Sequence, residues 1–258
     1  MNMDRKGVSL ADVPLDMPRR AASRRWLGLA SPLRARALAE SLLPPLYWLA
    51  AVFGLAGLAA GFLLAPTDAQ QGEAYRILYL HVPAAWMSML VYLAMAFWSL
   101  LSLVLNTRAS AMMALALAPT GALMTFLARA SGAIWGRPTW GAWWVWDARL
   151  TSELLLLFLY LGYLGLHNAF DDARRADRAA ALLALVGVIN LPVIYFSVVW
   201  WNTLHQGASL GPAGARMDTL MLIALLLMTA AFWCYTAAAA LTRFSCIVLE
   251  READREES

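Results

Sequence analysis

The stretch that decides the fold is Val82-Pro-Ala-Ala-Trp-Met-Ser-Met-Leu-Val-Tyr-Leu-Ala-Met-Ala-Phe-Trp-Ser-Leu-Leu-Ser-Leu-Val-Leu105. It carries no charged residue, and as a helix it exceeds the about 20 residues that cross a hydrocarbon core. Similar uncharged apolar runs occupy Leu46–Ala65, Ala109–Ala128, Leu154–Phe170, Ala179–Trp200 and Thr219–Leu241. Leu154–Phe170 is the shortest and can begin nearer Leu150. The chain is 61% hydrophobic and 14% charged, with mean hydropathy +0.59, which is a membrane composition. The expected fold is all-α, a polytopic bundle of six transmembrane helices. Residues 41–245 form the membrane domain, 1–40 a basic and partly disordered cytoplasmic segment, and 246–258 a charged cytoplasmic tail.

Orientation follows from Lys and Arg, which accumulate on the cytoplasmic side. One side would hold Arg5, Lys6, Arg19, Arg20, Arg24, Arg25, Arg34, Arg36, Arg108, Arg174, Arg175, Arg178, Arg243, Arg251 and Arg255. The other would hold only Arg76, Arg129, Arg137, Arg149 and Arg216. Both termini are therefore expected in the cytoplasm. The net charge of +3 reflects this bias and gives no reason to expect nucleic acid as a partner. The first apolar run begins too late for a cleaved signal peptide, and Arg34, Arg36 and Glu40 interrupt the segment before it. Residues 26–40 read as a surface-lying basic helix. The two cysteines, Cys234 and Cys246, are not spaced for a metal site or for covalent haem attachment, and Cys234 reads as a buried thiol.

The stretch Trp135-Gly-Arg-Pro-Thr-Trp140-Gly-Ala-Trp143-Trp144-Val-Trp146-Asp147 holds five of the twelve tryptophans. It falls in the third loop, on the outer side. An interfacial aromatic belt distributes Trp over many helix ends, as Trp48, Trp86 and Trp98 illustrate, but does not concentrate five in one loop. A wall for a large, flat, mostly apolar ligand accounts for them better. Read as a helix over residues 139–149, the stretch would start at Pro138 and put Trp140, Trp143, Trp144 and Asp147 on one face, making the loop amphipathic. Arg149 and Glu153 would pair at i,i+4. Arg149 or Arg137 could instead meet a ligand carboxylate.

Of the three histidines, His81 and His205 fall on the same outer side as this loop, with Pro83 placing His81 at a helix start. Each alone reads as an interfacial residue with one hydrogen bond. Together, flanking a Trp loop, they suit the axial positions of haem iron, because the porphyrin supplies the other four nitrogens. Two histidines make a poor zinc site. His167, beside Asn168 and Asp171 on the cytoplasmic side, reads as an interfacial histidine near a carboxylate.

The pattern Trp-Gly-x-Pro-x-Trp-Gly-x-Trp-Trp-x-Trp-Asp-Ala-Arg-Leu-Thr-Ser over 135–152, and its continuation Leu154–Tyr163, resemble the tryptophan-rich signature of the haem-handling membrane proteins of cytochrome c maturation. The likeness is closest to the haem exporter protein C subfamily and covers roughly residues 40–245. The larger relatives have more spans and further membrane histidines, which this chain lacks. The resemblance implies a non-enzymatic role in the bacterial inner membrane, in cytochrome c-type biogenesis and haem transport. Haem b would bind at the periplasmic face with His81 and His205 as axial ligands. Trp135, Trp140, Trp143, Trp144, Trp146 and Asp147 match the signature. The implied partners are a periplasmic haem chaperone, a two-subunit ABC transporter that hydrolyses ATP, and a very small membrane protein. The alternative is a permease subunit of an ABC transporter exporting haem or another small molecule. Intramembrane charges or interrupted helices would favour it, and the apolar runs show no ionisable side chain near their centres.

Overall fold

A computed structural model describes residues 31–201, 203–205, 210–211, 214–215 and 217–257. The expectation for residues 1–25, and that for 26–30, lie outside these. Among the described residues, seven helices account for six membrane spans. They are α1 (Pro32–Ala59, prolonged by a π-turn over Ala60–Leu64), α2 (Leu78–Leu105, preceded by a 3₁₀ turn over Glu73–Ile77) and α3 (Arg108–Trp140). The rest are α4 (Ala148–Asn168), α5 (Ala173–Gly187), α6 (Asn190–Trp200) and α7 (Thr219–Glu257). The two-residue strands Leu210–Gly211 and Gly214–Ala215 pair antiparallel before α7. Six helices long and apolar enough to cross a bilayer make this a multi-pass membrane protein.

The helices outrun the apolar stretches. Residues 32–40, expected to lie on the surface, continue directly into the first span, where Ala39 packs with Phe244, Ile247 and Val248 of α7. The tail stays helical to Glu257, and two of its charges reach other helices: Arg251 binds Asp177, and Glu252 meets Arg108 at 3.4 Å. Cys234 is half-buried, not buried, and Cys246 is exposed.

Helix α3 is the centre of the bundle. Two thirds of its most apolar window is buried (67%), against 17% for α1. It lies along α2, and α1 lies along α7. Close approach depends on small residues. A Cβ on Gly121 would stand 2.2 Å from the ring of Tyr160, whose hydroxyl donates to Ser88 O (2.8 Å). Gly187 admits the Tyr92 hydroxyl in the same way. Such glycines let helices pack by contact in a solvent that supplies no hydrophobic driving force between them. Large apolar side chains such as Trp48, Leu55, Leu63 and Val199 remain exposed on the outside, as lipid-facing positions require.

The fifth span is interrupted. Helix α5 ends at Gly187 and α6 starts at Asn190. Pro192 has no N–H to offer the carbonyl of Val188, and its ring would crowd that carbonyl in a continuous helix. Asn190 is buried at the break and donates from Nδ2 to Ser152 O of α4 (2.9 Å).

Candidate functional site

Helix direction sorts the histidines. His81, in the first turn of α2, His205, and the Trp-rich stretch at the end of α3 gather at one end of the bundle, while His167 closes α4 at the other. The Trp end holds a cavity that, with its open mouth, encloses about 680 Å³ of space. His81, His205, Trp135, Trp140, Trp143, Trp144 and Arg149 all line it.

The Trp-rich stretch is not a helix over 139–149. Its first part is the last turn and a half of α3, which passes through Pro138 and ends at Trp140. Pro138 sits close enough to the end that it removes one hydrogen bond without stopping the helix. Gly141 stops it, with φ 78, donating its N–H to Arg137 O (3.1 Å). Residues 142–147 are non-helical, and α4 starts at Ala148. Asp147 caps α4: Oδ1 accepts from Leu150 N (2.7 Å). The indoles therefore converge by a turn, not by helical spacing. Gly136 makes the turn possible, since a Cβ there would come within 3.0 Å of the Trp140 ring and 3.1 Å of Ala142 O.

Two members of the expected set stand outside the cavity. Trp146 is 76% exposed, with its ring edge-on to Trp144 at 5.3 Å. Asp147 serves as the cap, and its second oxygen is buried without a hydrogen-bond partner, as is Nε1 of Trp144. Trp143 lines the mouth and remains 59% exposed.

His81 is held firmly. Its Nδ1 lies 2.9 Å from Ala128 O and 3.2 Å from Ser131 Oγ, both on α3. A carbonyl only accepts, so Nδ1 carries the proton in that bond, and Nε2 of the neutral ring carries the lone pair. Gly132 gives the ring its space, because a Cβ there would stand 3.0 Å from Cε1. Trp135 meets His81 edge-on at 5.6 Å and is itself fixed by Nε1 donating to Gln71 Oε1 (2.7 Å). The His81 and His205 ring centroids are 6.1 Å apart at an interplanar angle of 37°, and Trp140 stands 6.1 Å from His205. Among the described residues no three His, Cys, Asp or Glu side chains group to hold a bare metal ion.

The cavity also holds charge that the apolar runs did not announce. The Arg129 guanidinium lies 4.1 Å over the Trp144 ring and donates to Leu150 O (2.8 Å). Arg149 does not pair with Glu153. It donates to Ile194 O of α6 (2.7 Å), whereas Glu153, buried, accepts from Ser88 Oγ of α2 (2.8 Å). The i,i+4 expectation failed because each group had a partner on another helix. Arg129, Glu153, Thr139 and Gly132 also line the cavity, and the sequence assigns none of them a ligand role. A signal for Gly132 was present: Ala128, Gly132 and Gly136 recur at i,i+4, a small-residue face on α3.

A family model, "Heme exporter protein C", matches residues 25–258. The chain belongs to the heme exporter protein C family. A heme exporter protein C of Haemophilus influenzae is 42% identical over 233 residues, covering 90% of this chain and 95% of that protein. One from Bradyrhizobium diazoefficiens is 50% identical over 210 residues, 80% and 78% of the two chains. One from Escherichia coli K12 is 57% identical over 149 residues, 58% of this chain, and the match spans only 61% of that relative's length.

His167, at the far end, is neither free nor near the cavity. Its Nε2 lies 3.2 Å from Asp177 Oδ1 and 3.1 Å from a guanidinium nitrogen of Arg251, which grips both Asp177 oxygens at 2.7 and 2.8 Å. The carboxylate is Asp177, not the neighbouring Asp171.

Proposed function

We propose that this chain binds haem b in the Trp-end cavity, facing the periplasm, and hands it to a periplasmic haem chaperone for c-type cytochrome biogenesis. The observation that carries this reading is the facing pair His81 and His205, 6.1 Å apart within an aromatic wall. Two imidazoles bound to one metal at about 2 Å from each nitrogen place their ring centroids about 6 Å apart. Haem needs only two protein ligands, and this end supplies two. When bound, haem contributes the iron and a flat apolar surface. The protein's part is to hold and orient it. His81 presents Nε2 because Ala128 fixes the other nitrogen, and His205 completes the pair. Trp135, Trp140 and Trp144 would supply apolar surface to haem, with Trp143 at the mouth. Arg149 is the cation offered to a propionate. The orphaned Trp144 Nε1 is a further donor at the same wall.

The chain acts here as a carrier subunit and not as an enzyme, with ATP hydrolysis in a two-subunit ABC transporter that associates with it and with a small membrane protein. Its likeness to heme exporter proteins supports haem as cargo. The Lys/Arg asymmetry supports an inner-membrane topology with both termini in the cytoplasm. Purified protein should show a low-spin bis-imidazole visible spectrum. A spectrum without a haem band after haem addition refutes the reading. Alkaline phosphatase fused after residue 141 should be active, and after residue 172 inactive; the reverse pattern refutes the orientation.

The interrupted fifth span favours a second reading, a permease subunit, because broken helices are common where substrates cross. Substrate-stimulated ATPase activity in a haem-free complex would support it over the first.

A further inference from the structure

The end of the bundle opposite the Trp cavity holds a second cavity, of about 740 Å³ with its open mouth. It forms where α2 ends, where Asn106 turns left-handed (φ 50) to start α3, and where the first turns of α5 come alongside. Three guanidinium groups line it, those of Arg108, Arg174 and Arg178, with one carboxylate, Asp177. Asp177 is already matched by Arg251 and His167, and Arg108 is shared with Glu252. Arg174 and Arg178 form no hydrogen bond or ion pair among the described residues. They stand at i,i+4 on one face of α5.

That face continues as Leu182 and Val186, 58% and 66% exposed. Beside it, α2 presents Phe97, Leu100 and Val104, also exposed and one helical face. The result is a strip with two unmatched cations at the helix ends and two parallel apolar rows running toward the membrane centre. A free phosphate would account for the cations alone. A phospholipid accounts for the cations and the rows together.

We propose that this cavity binds the phosphodiester headgroup of an anionic phospholipid, held by Arg174 and Arg178, with its acyl chains along Leu182, Val186, Leu100 and Val104. The assignment is independent of the haem reading. Basic residues at a membrane surface attract anionic lipid by an amount that corresponds to about fivefold in affinity each, or roughly 25-fold for two.

The test uses the full chain in detergent, with native mass spectrometry of bound phosphatidylglycerol and, separately, phosphatidylcholine. The wild type should retain phosphatidylglycerol in preference. Arg174→Gln and Arg178→Gln should each weaken it about fivefold, and the double variant roughly 25-fold. Arg175→Gln, on a neighbouring residue that does not line the cavity, should leave it unchanged. Inorganic phosphate at millimolar concentration should not displace the lipid. Equal retention by the double variant, or no preference in the wild type, overturns the site. Displacement by inorganic phosphate overturns the lipid assignment in favour of a simple anion. Both arginines are exposed and unpaired, so the single variants should fold, and a far-ultraviolet helical spectrum checks that they do.

Discussion

The two ends of this bundle both hold histidine and arginine, and use them oppositely. Around His167, charges satisfy one another: Arg251, Asp177 and His167 close into a single network. In the Trp-end cavity, each lining charged group is tied to something that is not an opposite charge. Arg149 goes to a carbonyl, Arg129 to a carbonyl and an indole face, and Glu153 to a hydroxyl. The His81 and His205 rings lie 6.1 Å apart beside them. A network that closes on itself stabilises helices and leaves nothing for a ligand. Groups anchored through backbone and π contacts keep their positions and still present charge to a cavity. The same residue types thus give a closed clasp around Asp177 and an open, charge-lined cavity around His81.

The sharpest way to break this contrast is to remove histidines from each end. The double variant His81→Ala, His205→Ala should lose the low-spin haem spectrum entirely, and either single variant should lose most of it. His167→Ala should keep the spectrum. A normal spectrum in the double variant would mean that the receptor lies elsewhere.

A second test crowds a proposed ligand without replacing it. Gly132→Val adds atoms where the His81 ring lies, a Cβ alone reaching 3.0 Å. Haem retention should fall at least tenfold while the protein level in membranes changes little. Unchanged retention would show that the ring is free to move.

Arg251→Ala tests the clasp. It leaves Asp177 mostly buried without its guanidinium and should destabilise the fold by about 3 kcal/mol, read as a lower thermal midpoint with the haem spectrum intact per folded molecule. A drop in haem before any loss of stability would mean that the two ends are coupled.

Asp147→Ala should cost about 1 kcal/mol by removing the α4 cap, and Asp147→Ser should restore most of it. A direct haem contact would instead lower retention in both variants equally. The smallest effect is expected for Trp146→Ala, because the ring stands outside the cavity. Retention should change less than twofold, and any larger loss should appear in transfer to the chaperone. A greater loss of retention than in Trp140→Ala would overturn the division between wall and rim.

Six spans, their alternation and the clustering of His81, His205 and the indoles at one end were legible in the sequence. The physical reason is that a bilayer admits only long apolar helices, so run length determines the number and order of the spans almost alone. The rest needed tertiary structure. Helix periodicity suggested an aromatic face over 139–149, but a positive φ at Gly141 and the cap at Asp147 divided the segment, and Trp146 fell outside. Glu153 and Arg149 looked like a local pair until α2 and α6 supplied better-placed partners. Which charge meets which group depends on where helices distant in sequence come to lie. Backbone carbonyls compete for those charges on equal terms with side chains, and no spacing rule within one helix records them.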